Sequence, residues 1–284
     1  MTQRQVHAVV VAYGAPGDLA GCLSGLEAQV PVTVIDNSSS PEVEAMANAH
    51  GASYVDPGEN RGFAAGVNIA LQRLTGGGVD VLLLNPDAVI TPGAVRELAD
   101  SMDGAGNERV AAVAPRLQGL DGSTQRVSWP FPTPARMWAE AVGLGRLPAR
   151  RTFVVGAVLL LRREALDDVG GFDERFFLYG EEADWQRRAQ QRGWTSVVCV
   201  TAMANHQGAG TSPDSRRREL LFHAGQEIYI RKWYGASGWW LYRVAACAGA
   251  AARALILLRD RRSEAARRAL LYLRGPRQVA ARND

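Results

Sequence analysis

Three groups of residues in this chain have types and spacing that could do chemistry. The first is Asn85-Pro86-Asp87, which closes an uninterrupted apolar run from Val81 to Leu84. A run without alternation predicts a strand buried on both faces, as in parallel sheets. Pro86 has no N–H for a ladder and holds the residue before it extended, so the strand should stop at Asn85. Asp87 then stands just beyond the carboxyl end of a central strand, where open α/β sheets place their ligands. Two readings are open: the carboxylate takes a divalent cation and through it a diphosphate, or it closes the strand as an Asx turn.

The second group is Glu181-Glu182-Ala183-Asp184, three carboxylates in four residues after the aromatic stretch Phe176-Phe177-Leu178-Tyr179. Like charges so close raise one another's pKa, and an apolar wall raises them further. A carboxylate tuned upward is a usable general base near neutral pH. The other reading is a first helical turn whose acids complement the helix dipole. The third group is His206, in Ala204-Asn205-His206-Gln207-Gly208, placed just after the last apolar strand. Histidine with aspartate suits Mn²⁺ or Mg²⁺ when substrate phosphates supply the remaining ligands. A loop or capping histidine is the alternative.

Two more positions sit at strand ends. Asp36, in Ile35-Asp36-Asn37-Ser38, is placed to accept hydrogen bonds from a ribose or base, or to cap a helix. In Glu59-Asn60-Arg61-Gly62-Phe63-Ala64-Ala65-Gly66, the glycines allow close backbone approach. Asn60 and Arg61 lie near a helix N-terminus, which favours anions; a plain loop-to-helix turn is the other reading. No GxGxxG follows the first strand, and Gly14-Ala15-Pro16-Gly17 is a poor substitute, so a dinucleotide cofactor is disfavoured.

The elements that must position these groups alternate. Val6–Ala12, Val30–Ile35, Ala52–Val55, Val79–Leu84 and Val110–Ala114 read as strands. Candidate helices lie near Asp18–Ala28, Pro41–His50, Ala64–Arg73 and Pro92–Met102. Strand–helix alternation predicts an α/β fold with a mostly parallel sheet. Beyond Pro115, Asp121-Gly122-Ser123 reads as a hairpin turn, and Phe131-Pro132-Thr133-Pro134 opens an irregular stretch. Then come a strand over Phe153–Leu161 interrupted by Gly156, a helix over Glu181–Arg192 and a strand over Thr195–Val200. A long helix follows over Ser212–Tyr234, with Ser212 as N-cap and Pro213 at its first position.

The 284 residues suffice for one large domain or two small ones, and 47% hydrophobic with 21% charged residues is ordinary for a globular protein. Three scattered cysteines, Cys22, Cys199 and Cys247, argue for a reducing compartment and against a zinc site or disulfide framework. Polar Thr2-Gln3-Arg4-Gln5 runs straight into a strand, with no signal peptide, which predicts a cytoplasmic protein. The net charge of +3 is uneven: residues 241–284 hold ten Arg and three acids, a local +7, which leaves −4 on the first 240. A basic tail on an acidic body predicts an anionic surface as partner. Trp239–Leu258 is apolar, but Arg243 and Arg253 are expensive at mid-bilayer. With Trp239, Trp240 and Tyr242 at one end it reads as part of an interfacial helix pair, or as helices packed on the main domain.

Taken in order, these stretches resemble glycosyltransferase family 2, the inverting GT-A transferases, and most nearly the bacterial rhamnosyltransferases that act on polyprenyl-diphosphate-linked sugars. The matching stretches are Val9–Tyr13, Val34–Ser38, Glu59–Gly66, Leu82–Asp87, Gly170–Glu181 and His206. The resemblance implies a GT-A catalytic domain over 1–210, with a nucleotide-sugar half near 1–115 and an acceptor half near 116–210. A basic helical region over 211–284 would follow, a candidate for membrane association. It implies that Asp36 and Tyr13 hold the donor nucleotide and that Asn60, Arg61 and Asn85 face the donor. Asp87 would coordinate a Mn²⁺ or Mg²⁺ ion on the diphosphate, and His206 would complete the metal site. Glu182 stands where the family has Asp after Glu, as the base for the acceptor hydroxyl, with Glu181 the alternative. Trp129, Gly156, Asp184 and Arg216 are further candidates toward acceptor or phosphate.

The implied partners are a nucleotide diphosphate sugar such as dTDP-L-rhamnose and a glycan or polyprenyl-diphosphate-linked acceptor. The membrane surface is a third, met from the cytoplasm at the inner face of the cell membrane. Nucleic acid is not expected, since no stacking aromatics accompany the Arg-rich tail. A nucleotidyltransferase would need a Gly- and Lys/Arg-rich loop after the first strand, which is lacking. A catalytically silent binding protein of the same fold would not need Asp87, Glu182 and His206.

Overall fold

The computed structural model describes residues 4–26, 29–74, 78–104, 106–208, 214–256 and 259–281. In chain order its elements are β1 (Val6–Ala12), α1 (Pro16–Leu26), β2 (Val32–Asp36), α2 (Pro41–Ala49), β3 (Ser53–Val55), α3 (Gly62–Arg73) and β4 (Asp80–Leu84). There follow β5 (Ala88–Ile90), α4 (Ala94–Asp103), β6 (Val110–Gln118), β7 (Thr124–Gln125), β8 (Ser128–Pro130), α5 (Pro134–Ala141), β9 (Thr152–Val154) and β10 (Val158–Leu161). The last are α6 (Arg163–Val169), α7 (Glu181–Gln191), β11 (Thr195–His206), α8 (Ser215–Ile256), α9 (Arg259–Arg274) and α10 (Pro276–Ala280).

The chain divides into two compact units. One comprises residues 1–129, 152–177 and 181–213; the other comprises 130–151, 178–180 and 214–284. In the first, the sheet runs β3-β2-β1-β4-β10-β6-β11-β5, with β7 added to β6. The pairs β1–β2, β1–β4, β2–β3 and β6–β11 are parallel. β10 runs antiparallel between β4 and β6, and β5 antiparallel on β11. The fold is therefore α/β with a mixed sheet in which most strands share one direction. Leu82, Leu83 and Leu84 are fully buried in its middle, each worth about 1.5–3 kcal/mol against exposure.

Several elements depart from the sequence expectations. Gly156 does more than interrupt a strand: it separates β9 from β10, and only β10 enters the large sheet. The strand expected over Thr195–Val200 continues to His206 because irregularities between Cys199 and Met203 let its pairing with β6 resume. The irregular stretch after Phe131 contains α5, capped by the Thr133 side chain accepting from Arg136 N, with Pro134 in the first turn. Two prolines disguised that start. The parallel expectation for Ser212 and Pro213 lies outside the described residues, as does Leu258 at the end of the apolar segment.

In the second unit, α8 is broken at Gly235 (φ 67°). Of the three aromatics at its second half, Trp239 and Tyr242 are buried within the unit. Trp239 and Tyr242 share a face at i, i+3 spacing and stack on each other, at 5.9 Å between ring centroids, and both meet the tilted ring of Tyr272 of α9. Trp240, off that face, is left 63% exposed.

One close approach fixes the start of α3. Gly62 has φ 80°, and a Cβ there would lie 2.4 Å from the Phe177 carbonyl oxygen. Phe63 N donates to the same oxygen at 2.7 Å. Gly62→Ala is therefore expected to destabilise by about 1–3 kcal/mol, lowering the melting temperature by several degrees. Gly17→Ala, in α1 with open space around it, should be neutral or stabilising. Equal melting temperatures for the wild type and Gly62→Ala would contradict the contact.

Candidate active site

The turn after β4 is built from its own sequence. Ala88 N donates to Asn85 O at 3.0 Å, making Asn85-Pro86-Asp87-Ala88 a β-turn with proline at its second position. Asn85 N donates to Ala157 O at 2.9 Å, tying the turn to the start of β10. The chain then pairs at once as β5 with β11, Ala88 opposite His206. That register brings the buried Asp87 carboxylate to His206, with Nε2 3.5 Å from Oδ1.

The histidine is oriented by a residue the sequence reading passed over. Gln125, on β7, donates its Nε2 to His206 O at 2.7 Å, so the amide oxygen is the atom 3.0 Å from His206 Nδ1. That assignment makes Nδ1 a donor and leaves Nε2 as the ring atom turned toward Asp87. A carboxylate and an imidazole side by side suit a borderline divalent cation whose other ligands come from elsewhere. Among the described residues no group of three or more His, Cys, Asp or Glu forms a metal cluster, so those other ligands would be phosphate and water.

Helix α7 carries the second group, and the three carboxylates do not act as one cluster. Asp184 turns away: its buried carboxylate pairs with Arg188 Nε at 3.0 Å, and Arg188 also donates to Val169 O and Gly171 O. Glu181 is buried, and its Oε2 has no hydrogen-bond partner among the described residues. Burial, and next the charge of Glu182, push its carboxyl well above the usual range. Glu182 is half-buried, and its side chain lies against Gly156, where an added Cβ would meet Glu182 Cβ at 3.4 Å. The link is short: Glu182 touches Gly156, the next residue Ala157 bonds Asn85, and Asn85 opens the turn holding Asp87. The helix itself is pinned by Gln186, which exchanges bonds of 2.7 and 2.9 Å with the Val154 backbone, and by Trp185 Nε1 donating to Gly170 O.

The third cluster lies at the tips of β1 and β2. Asp36 is buried and not a helix cap; Ser40 caps α2. One Asp36 oxygen accepts from Ser38 N and Oγ, the other from Ser40 N at 2.8 Å and Tyr54 Oη at 3.0 Å. Ser38 Oγ in turn accepts from Gly14 N at 3.0 Å. The carboxylate thus holds the two strand tips together, and Tyr13 stands half-exposed beside them. Asn60 Oδ1 accepts from Gly62 N, and Arg61 is exposed at the N-terminus of α3. Trp129 stacks under Arg126, 4.2 Å from ring centroid to guanidinium. Arg216 belongs to the second unit and starts α8, with Asp214 accepting from its N–H. Gln125, Tyr54 and Gln186 escaped the sequence reading because a lone Gln or Tyr carries no periodic or spacing signal.

The sequence assigns the family. The model of the Glycosyl transferase family 2 matches residues 8–170, more than half of the chain, which belongs to that family and is a glycosyltransferase. It is 28% identical over 266 residues to the N-acetylglucosaminyl-diphospho-decaprenol L-rhamnosyltransferase of Mycobacterium tuberculosis, covering 82% of this chain and 85% of that one. It is 25% identical to the low-salt glycan biosynthesis hexosyltransferase Agl10 of Haloferax volcanii, covering 78% and 71%. Among solved structures, its fold is shared with glucosyl-3-phosphoglycerate synthase of M. tuberculosis, determined with Mn²⁺, UDP and glucosyl-3-phosphoglycerate. There the TM-score is 0.55 at 17% identity, over 81% of this chain and 80% of that one. GalNAc-T7, determined with UDP, GalNAc and Mn²⁺, matches at TM-score 0.61 and 13% identity, over 87% of this chain and 51% of that one.

The raised carboxyl of Glu181 makes a prediction by itself. An acid whose folded pKa lies above its unfolded value, about 4.3, contributes stability in full below that value. It loses the contribution as pH rises through the folded pKa. Glu181→Gln should therefore gain stability relative to the wild type as pH rises, in melts taken from about pH 4 to pH 9. A difference that does not change with pH would show that Glu181 is not held neutral.

Proposed function

We propose that the protein transfers a deoxyhexose, L-rhamnose from dTDP-L-rhamnose, with inversion to a polyprenyl-diphosphate-linked glycan. The single observation that carries the reading is the Asp87–His206 pair, with Nε2 turned to the carboxylate beside a turn linked to Glu182. The choice of sugar and acceptor rests on the similarity to the decaprenol-linked rhamnosyltransferase.

In this reading Asp87 and His206 would hold a Mn²⁺ or Mg²⁺ ion, which would supply charge neutralisation for the leaving diphosphate. Arg61, exposed at the α3 N-terminus, and Asn60 face the donor phosphates. Tyr13 offers its ring to the base at the edge that Asp36 keeps in shape. Glu182 takes the proton of the acceptor hydroxyl as that oxygen attacks the anomeric carbon. The bond from that carbon to the diphosphate oxygen breaks, and the nucleoside diphosphate leaves from the opposite face. Of the two glutamates, Glu182 is the base because it is accessible, whereas Glu181 is buried, and that burial pushes its carboxyl well above the usual range.

Work on a lipid-linked acceptor puts the protein at the inner face of the cell membrane. Among the described residues no helix is long and apolar enough to cross a membrane. The second unit instead exposes Trp240, Leu241, Leu270 and Leu273 among its arginines, the two signals that peripheral binding needs.

The test is Glu182→Gln. Turnover should fall by roughly 10²–10⁴-fold, the usual worth of a general base, while Mn²⁺-dependent binding of dTDP stays at the wild-type level. Loss of both together, or of neither, would remove Glu182 from this role.

A further inference from the structure

Within the second unit, residues of α8, α9 and α10 line a pocket of about 230 Å³. Four guanidinium groups line it: Arg216 from the first turn of α8 and Arg267, Arg268 and Arg274 from α9. One carboxylate answers them. Glu219 accepts from Arg267 Nη2 at 2.8 Å and from Arg268 Nη2 at 3.0 Å. Burial raises the Glu219 carboxyl, but the bond from Arg268 and the two arginine charges outweigh it and hold the group below its ordinary value. It is therefore spent as an anion on those two arginines. His223, 3.8 Å from Glu219, adds no charge: burial lowers its pKa to about 4. Arg216 and Arg274 have no ionic partner for their side chains among the described residues, so a pocket of four cations and one anion keeps a charge of +3. Its wall is also apolar, with Leu270 of the rim 52% exposed.

Planar guanidinium forks on several sides of a small cavity match the tetrahedral oxygens of a phosphate group better than they match a single carboxylate. We infer that this pocket binds a phosphate group, with Arg216 and Arg274 as its free donors and the Glu219–Arg267–Arg268 network as the frame that holds them. The leucine rim suits a phosphate that carries an apolar chain, as in a lipid headgroup, and a free phosphate or diphosphate would satisfy the same donors. The inference does not depend on which sugar is transferred or on which glutamate is the base.

The experiment measures two probes against the full chain: inorganic diphosphate by calorimetry, and vesicles of phosphatidylcholine with and without phosphatidate by flotation. Arg216→Gln with Arg274→Gln should weaken binding by roughly 10- to 30-fold. Arg253→Gln, which changes charge on α8 outside the pocket, should leave it unchanged. Binding of phosphatidate vesicles alone identifies a lipid headgroup as the source, and binding of diphosphate identifies the phosphate by itself; either supports the site. Melting temperatures establish that the double variant is folded. If it is not, Arg216→Gln alone, at an exposed position, carries the same comparison. The site is overturned if neither probe binds, if the double variant binds like the wild type, or if Arg253→Gln weakens binding as much, which would mean diffuse attraction to the basic helices.

Discussion

The pairing of three residues, Ala88–Ile90, with the end of β11 is the constraint on which the site depends. Without it Asp87 would be a turn residue and His206 a strand terminus, some 120 positions apart in sequence. The antiparallel register sets Ala88 opposite His206, and the proline turn just before it leaves the Asp87 carboxylate no direction but inward. A slip of one residue would send the imidazole to the other face of the sheet. The β6–β7 hairpin then adds Gln125, which settles the ring's tautomer and direction. Two short strand pairings and one turn thus do what a run of ligands on one helix does elsewhere.

The same economy governs the acid side. Helix α7 is fixed by side chains that bond backbone: Gln186 to β9, Trp185 to the loop after α6, and Arg188 to that loop and to the end of α6. Its first turn therefore has a fixed direction, and burial can divide two adjacent glutamates into different states. One is enclosed and its carboxyl is pushed well above the usual range; the other lies along the bare backbone of Gly156 and stays accessible. Identical side chains one residue apart differ because the helix turns about 100° between them.

Much of this was legible in the sequence. The buried run ending at Asn85-Pro86-Asp87, the strand–helix alternation and the hairpin at Asp121-Gly122-Ser123 are local signals, and local signals survive in a single sequence. What depends on partners distant in the chain was not legible. β5 is too short to show a period, and the strand ending at His206 looked finished at Val200 because its alternation is broken at the irregularity. Asp184 reads like its two neighbours until Arg188 claims it. Trp239 and Tyr242 read as an interfacial belt until Tyr272, thirty residues on, supplies the surface that buries them.

The central claim is that Asp87 and His206 form one divalent-cation site. Paramagnetic broadening tests it most directly. With the imidazole rings of the four histidines observed by NMR, substoichiometric Mn²⁺ is added in the presence of dTDP. The account predicts that the His206 ring signals disappear first and that those of His7, His50 and His223 persist. Broadening that spares His206, or that falls equally on all four rings, would contradict it.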